Sequence, residues 1–116
     1  MNQKEVNYNV IQGDSFTLSI TYTDSNNIPI DLTGYTATIE VRDKPGGKIV
    51  CATGIIGSGI TIPNLQSGII QINLPPSMTK NFVLPRSAYQ IQLTSSGGIA
   101  QTILQGWLLV EPGVIM

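Results

Sequence analysis

Ser15-Phe16-Thr17-Leu18-Ser19-Ile20-Thr21-Tyr22-Thr23 places a large apolar residue at every second position, with Ser or Thr between. Side chains alternate across a pleated sheet, so a period of two marks a half-buried β-strand, and a helix would need spacings of three and four. Moving outward, Thr36–Arg42 repeats the pattern: Ala37, Ile39 and Val41 face one way, and Thr36, Thr38, Glu40 and Arg42 the other. Gly68–Leu74 alternates Ile70, Ile72 and Leu74 with Gln71 and Asn73. Ala88–Thr94 alternates Tyr89, Ile91 and Leu93 with Gln90 and Gln92. Shorter strands are predicted at Val6–Ile11, Lys48–Thr53 and Gly59–Pro63, and one long strand at Ile99–Val110.

Turn formers separate these runs. Gly13-Asp14, Asp24–Pro29 and Asp31-Leu32-Thr33-Gly34 supply residues that bond their own backbone or accept positive φ. Lys44-Pro45-Gly46-Gly47 and Ser95-Ser96-Gly97-Gly98 read as hairpin ends. Gly54–Gly59 reads as a glycine-rich loop between strands; no helix or Lys follows to complete a phosphate site. Short strands with frequent turns predict an all-β fold, a β-sandwich or a small barrel. The one helix candidate is Pro76–Leu84, with Ser77 as its cap. Flanking prolines limit it to one short helical turn near residues 77–84. No linker, repeat or low-complexity tract divides residues 1–116, so a single domain is expected.

A chain of 116 residues buries roughly two-thirds of its unfolded surface and can hold one modest core. Charged residues make up only 11%, against about 25% in ordinary domains. A surface so poor in charge suits a chain that meets partners. The net charge is −1 and the six Lys and Arg are dispersed, so no patch exists to track nucleic-acid phosphates. The polar N-terminus has no apolar leader segment and no apolar run is long enough to span a membrane, which predicts synthesis and folding in a cytoplasm. Cys51 is the only cysteine, reads as a small buried hydrophobe and rules out an intrachain disulfide.

Residues with chemistry are scarce. The chain has no histidine, which removes Ser-His-Asp and Cys-His triads, HExxH zinc sites and imidazole acid–base work. Of seven carboxylates, Asp14, Asp24, Asp31 and Asp43 fall at turns, where Asp bonds local backbone. A calcium ion on Asp24, Asn26 and Asp31 is the sharper alternative, although the loop lacks EF-hand spacing. No enzyme activity and no cofactor are expected.

Phe16, Tyr22 and Tyr89 are in phase with aliphatic core positions. The last strand differs. A single phase puts Ala100, Thr102, Leu104, Gly106, Leu108 and Val110 inside, and Gln101, Ile103, Gln105, Trp107 and Leu109 outside. Large apolar groups on both faces mean burial on both sides or a partner on the outer one. Ile103, Trp107 and Leu109 are therefore candidate subunit-interface residues, together with Val114 and Ile115 of the apolar tail.

The order of motifs resembles a known family. Val10-Ile11-Gln12-Gly13-Asp14-Ser15-Phe16 is followed by a strand, then Pro29-Ile30-Asp31-Leu32-Thr33-Gly34-Tyr35, then Thr36–Arg42, and the chain closes on Leu104-x-Gly106-x-x-x-Val110-x-Pro112. This is similar to small phage and prophage tail and baseplate proteins, including the N-terminal domain of the baseplate upper protein of some siphophages. The resemblance runs from about Val10 to Gly113. It implies an immunoglobulin-like β-sandwich of seven to eight antiparallel strands, no catalytic residues, and a place in the virion, made in the host bacterial cytoplasm. It further implies a homo-oligomer or contacts with other phage structural proteins. A head decoration or head-fibre protein shares the same features. A carbohydrate-binding module for host-surface glycan would instead require Tyr8, Tyr35 and Trp107 to be exposed on one face.

Overall fold

The computed structural model describes residues 4–113. Its strands are β1 (Lys4–Glu5), β2 (Tyr8–Ile11), β3 (Phe16–Thr21), β4 (Thr36–Arg42), β5 (Val50–Ile56), β6 (Gly59–Thr61), β7 (Ile69–Leu74), β8 (Arg86–Thr94) and β9 (Ala100–Glu111). They form one sheet in the order β1-β9-β8-β4-β5-β6-β7-β3, with β2 also on β9, and the sheet curls almost into a barrel. The all-β expectation holds. Two details change. The sheet is mixed, because β1 and β2 run parallel to β9 and β5 pairs parallel with β6. A 3-10 turn at Leu65–Ser67 joins the short helix α1 (Pro76–Thr79).

The alternating residues build the core. Phe16, Ile39, Val41, Ile70, Ile72, Leu74, Ile91 and Leu93 are all buried in one cluster. Burying each such side chain stabilises the fold by about 1.5–3 kcal/mol relative to exposure. Glycine allows the sheet to turn its corner between β5 and β6. Gly54–Gly59 is therefore mostly strand, not loop. A Cβ at Gly54 would lie 2.7 Å from Ile39 Cγ2, and one at Gly59 would lie 3.2 Å from the Gly54 Cα. Only hydrogen fits where the strands close up so tightly.

The single phase expected for β9 is interrupted. Ile91 pairs with Leu104 but Gln92 pairs with Thr102, leaving Ile103 as an extra residue in a β-bulge. Ile103 is 8% exposed and belongs to the core, not to the outer face. Beyond the bulge the phase inverts. Gln101 lies opposite the buried Leu93, and Thr102 lies opposite the exposed Gln92. The inverted Gln101 accepts a 3.1 Å hydrogen bond from the Tyr22 hydroxyl. A second bulge makes Cys51 the extra residue of β5, between the pairs Val41–Ala52 and Arg42–Val50. Cys51 is half-buried against the core with a free thiol.

Residues 75–85 latch the β2–β3 corner. Helix α1 starts on Pro75 with Pro76 in its first turn, and Ser77 does not cap it. Thr79 is fully buried; its hydroxyl donates to the Asp14 carbonyl at 2.8 Å and accepts from the Gly13 N–H at 3.1 Å. Gln12 donates from Nε2 to the Phe82 carbonyl at 2.9 Å. Buried Ser87 both accepts from the Val83 N–H and donates to the Val83 carbonyl.

Candidate functional site

Register brings distant residues into rows on the outer face of β1, β9, β8 and β4. Glu5, Gln105, Gln90 and Glu40 form one row across these four strands. The next row is Trp107, Ala88 and Arg42. It runs large, small, large, so Ala88 leaves a notch between an indole and a guanidinium. Together with the β4–β5 turn at Lys44-Pro45-Gly46, the rows enclose an open groove of about 530 Å³.

The walls of the groove are held in place. The Arg42 guanidinium pairs with the Glu40 carboxylate and donates from Nη1 to the Gly47 carbonyl at 2.6 Å. Trp107 is half-buried, with the Arg86 guanidinium 4.0 Å from its ring centroid. Stacking a guanidinium on an indole is favourable and fixes the ring. The Trp107 N–H of the backbone donates to Asn7 Oδ1 at 2.9 Å. Gln90 donates from Nε2 to Thr102 Oγ1 at 2.6 Å. Two carboxylates, Glu5 and Glu40, and two cations, Arg42 and Lys44, line the groove, with Glu40 and Arg42 paired on one strand.

Further along the same outer face, Leu109 is 43% exposed, between Asn9 of β2 and Arg86 of β8. Ile11 of β2 shares that face and is also 43% exposed. Leu84 is exposed just before β8, where the Pro85 carbonyl accepts from the Val110 N–H. The interface candidates therefore separate. Ile103 is inside, Trp107 borders the groove, Leu109 is outside with Ile11, and Val114 and Ile115 lie outside the described residues.

Two of the four turn carboxylates, Asp24 and Asp31, serve their own loops, whereas buried Asp43 Oδ1 has no hydrogen-bond partner. Asp24 Oδ1 accepts from the Asn26 and Ile28 N–H groups at 2.8 and 3.1 Å. Asp31 Oδ1 accepts from the Thr33 hydroxyl at 2.6 Å and the Thr33 N–H at 2.9 Å. The hydroxyl bond, then the backbone bond, holds the Asp31 carboxyl below its ordinary pKa. Among the described residues, no three metal-ligating side chains converge.

The aromatics do not form one exposed row. Tyr8 lies 6.0 Å from both Phe16 and Tyr89, ring centroid to ring centroid, as part of the core. Tyr35 packs half-buried against the same core. Of the aromatics, half-buried Trp107 and buried Tyr89 line the groove. The outward direction of Glu40, Arg42 and Gln90 is readable from alternation. Their meeting with Gln105, Trp107 and Glu5 is not, because it depends on strand order. No protein-family model and no curated protein matches this chain in sequence.

Proposed function

We propose that this protein is a non-enzymatic structural component of a bacteriophage virion, in the tail or baseplate. In this reading it self-associates or docks on other virion proteins, and its curled sheet is a variant of the immunoglobulin-like sandwich. The observation that carries the assembly reading is the pair of exposed apolar side chains Ile11 and Leu109 on one face, on a chain only 11% charged. Apolar groups gathered on a face of a charge-poor surface favour contact with another protein. The motif order from Gly13-Asp14 to Pro112 supports the virion setting. The carboxylates support a non-catalytic role, since Asp24 and Asp31 are committed to loop backbone and Glu40 to Arg42.

Light scattering on the purified chain, alone and mixed with neighbouring tail proteins, tests this reading. An oligomer or a defined complex is expected, and Leu109→Asp should weaken it while leaving the circular dichroism spectrum intact. A monomer that never enters purified particles would refute the proposal. Labelled protein found on the capsid would assign it to the head instead.

A further inference from the structure

We propose that the groove over Ala88 is a binding site for a neutral oligosaccharide, held by Trp107 as its stacking wall and by polar lining groups rather than by the three-aromatic face that Tyr8, Tyr35 and Trp107 do not form. This inference uses a different part of the surface from the Ile11–Leu109 group and does not depend on the assembly reading.

Four observations converge on that ligand class. The first is shape. Ala88 lies between Trp107 and Arg42 in one cross-strand row, which opens a notch beside an aromatic ring. The groove holds about 530 Å³, within the range of roughly 300–1,000 Å³ for small-ligand sites. The second is the ring. Arg86 covers Trp107, yet Arg86 takes no part in lining the groove, whereas Trp107 does. The indole is thus stacked by a cation and also borders the open notch. An indole offers the C–H face of a pyranose a flat apolar surface with little conformational entropy to lose.

The third observation is polarity. Gln90 and Gln105 adjoin on the groove floor, and each amide offers both donors and acceptors. Glu5 adds an acceptor and Lys44 a donor. A row of vicinal hydroxyls, each donor and acceptor at once, matches this set. The fourth is charge. Glu5 and Glu40 balance Arg42 and Lys44, and Arg42 is already engaged by Glu40 and the Gly47 carbonyl. An anionic ligand would find its attraction cancelled, so a neutral one fits better.

A peptide strand is a poorer occupant. The floor strand β8 is hydrogen-bonded to β9 on one side and β4 on the other. It has no free backbone edge at which a strand could be added.

Trp107 is the only tryptophan, so fluorescence excited selectively at tryptophan reports from the wall of this groove. The full chain is titrated with maltotriose, cellotriose and chitotriose, with trigalacturonate as an anionic probe and a Gly-Ser-Gln peptide as a further comparison. At least one neutral trisaccharide should shift the emission saturably at millimolar concentration. Ala88→Leu, which fills the notch, and Gln90→Ala should each weaken binding roughly tenfold or more, about 1.4 kcal/mol. Amide NMR spectra verify that both variants are folded. Thr17→Ala, on exposed β3, should bind as the parent does. The proposal is overturned if no neutral trisaccharide binds. It is equally overturned if folded Ala88→Leu and Gln90→Ala bind as the parent does, or if the anionic sugar or the peptide binds in their place.

Discussion

The Tyr89 hydroxyl donates a 2.6 Å hydrogen bond to the Val6 carbonyl. That carbonyl lies over Gly106, the cross-strand partner of Tyr89. Strands β8 and β9 thus meet the link between β1 and β2 at one oxygen. Tyr89→Phe keeps the ring against Tyr8 and removes the hydroxyl. Chemical denaturation should show a loss of about 1 kcal/mol, the usual contribution of such a bond.

The same site has a pH signature. Burial, followed by the proximity of Tyr8, raises the Tyr89 pKa well above the ordinary tyrosine value of 10.0. The unfolded chain releases this proton near pH 10, while the folded chain keeps it. Unfolding therefore becomes easier as pH rises above about 10, and the stability contribution is complete below that value. Ultraviolet titration of the folded chain should find Tyr89 still protonated where exposed tyrosines have ionised. In Tyr89→Phe, the decline of stability with alkaline pH should be shallower.

Gly106 admits no side chain. A Cβ there would lie 2.1 Å from the Val6 carbonyl oxygen, so either the strand or the residue must move. Gly106→Ala should destabilise the fold by roughly 1–3 kcal/mol, the scale of overpacking. Hydrogen exchange should locate the damage: the amides of Val6 and Trp107, bonded to Gln105 and Asn7, should lose protection before those of β4.

Thr79→Val exchanges a hydroxyl for a methyl of similar size at a fully buried position. The Gly13 N–H and Asp14 carbonyl then lose their partner. A penalty of about 1–3 kcal/mol is expected for buried groups left unbonded, read as a lower melting temperature. Ser is the rescue variant, since Thr79→Ser retains the hydroxyl and should recover most of the loss.

Thr33→Val removes the side-chain donor to Asp31. The Asp31 carboxyl should then titrate closer to its ordinary value, as followed by carbon NMR. With the depressed folded value, stability from this contact is present at neutral pH and fades as pH falls through it. Thr33→Val should weaken that dependence, because the backbone N–H at this position still donates to Asp31.

Strand positions were largely readable because each core residue is followed by one that faces water. Ile39, Ile72 and Ile91 declare their burial through their neighbours alone. The β9 alternation holds from Leu104 to Val110 and departs only before it, for a definite reason: a bulge adds a residue without any sequence mark, and Ile103 looks the same in or out of register. The parallel pairing of β1 and β2 is similarly silent, since alternation says which face is apolar but not which strand lies alongside. The groove was hidden for that reason. Glu5 and Glu40 become neighbours of one row only through the order β1-β9-β8-β4.

That order also governs when the fold can be completed. β1 and β2 precede the other described strands along the chain, yet among the described residues they pair with β9, the ninth of them. Until β9 is in place, β2 has no strand to pair with and β8 lacks its neighbour on one side. Closing a loop of nearly the whole chain delays this step relative to the local hairpins. The N-terminal segment therefore acts as the final fastener, and a chain stopped short of β9 would expose both ends of its unfinished sheet to other chains.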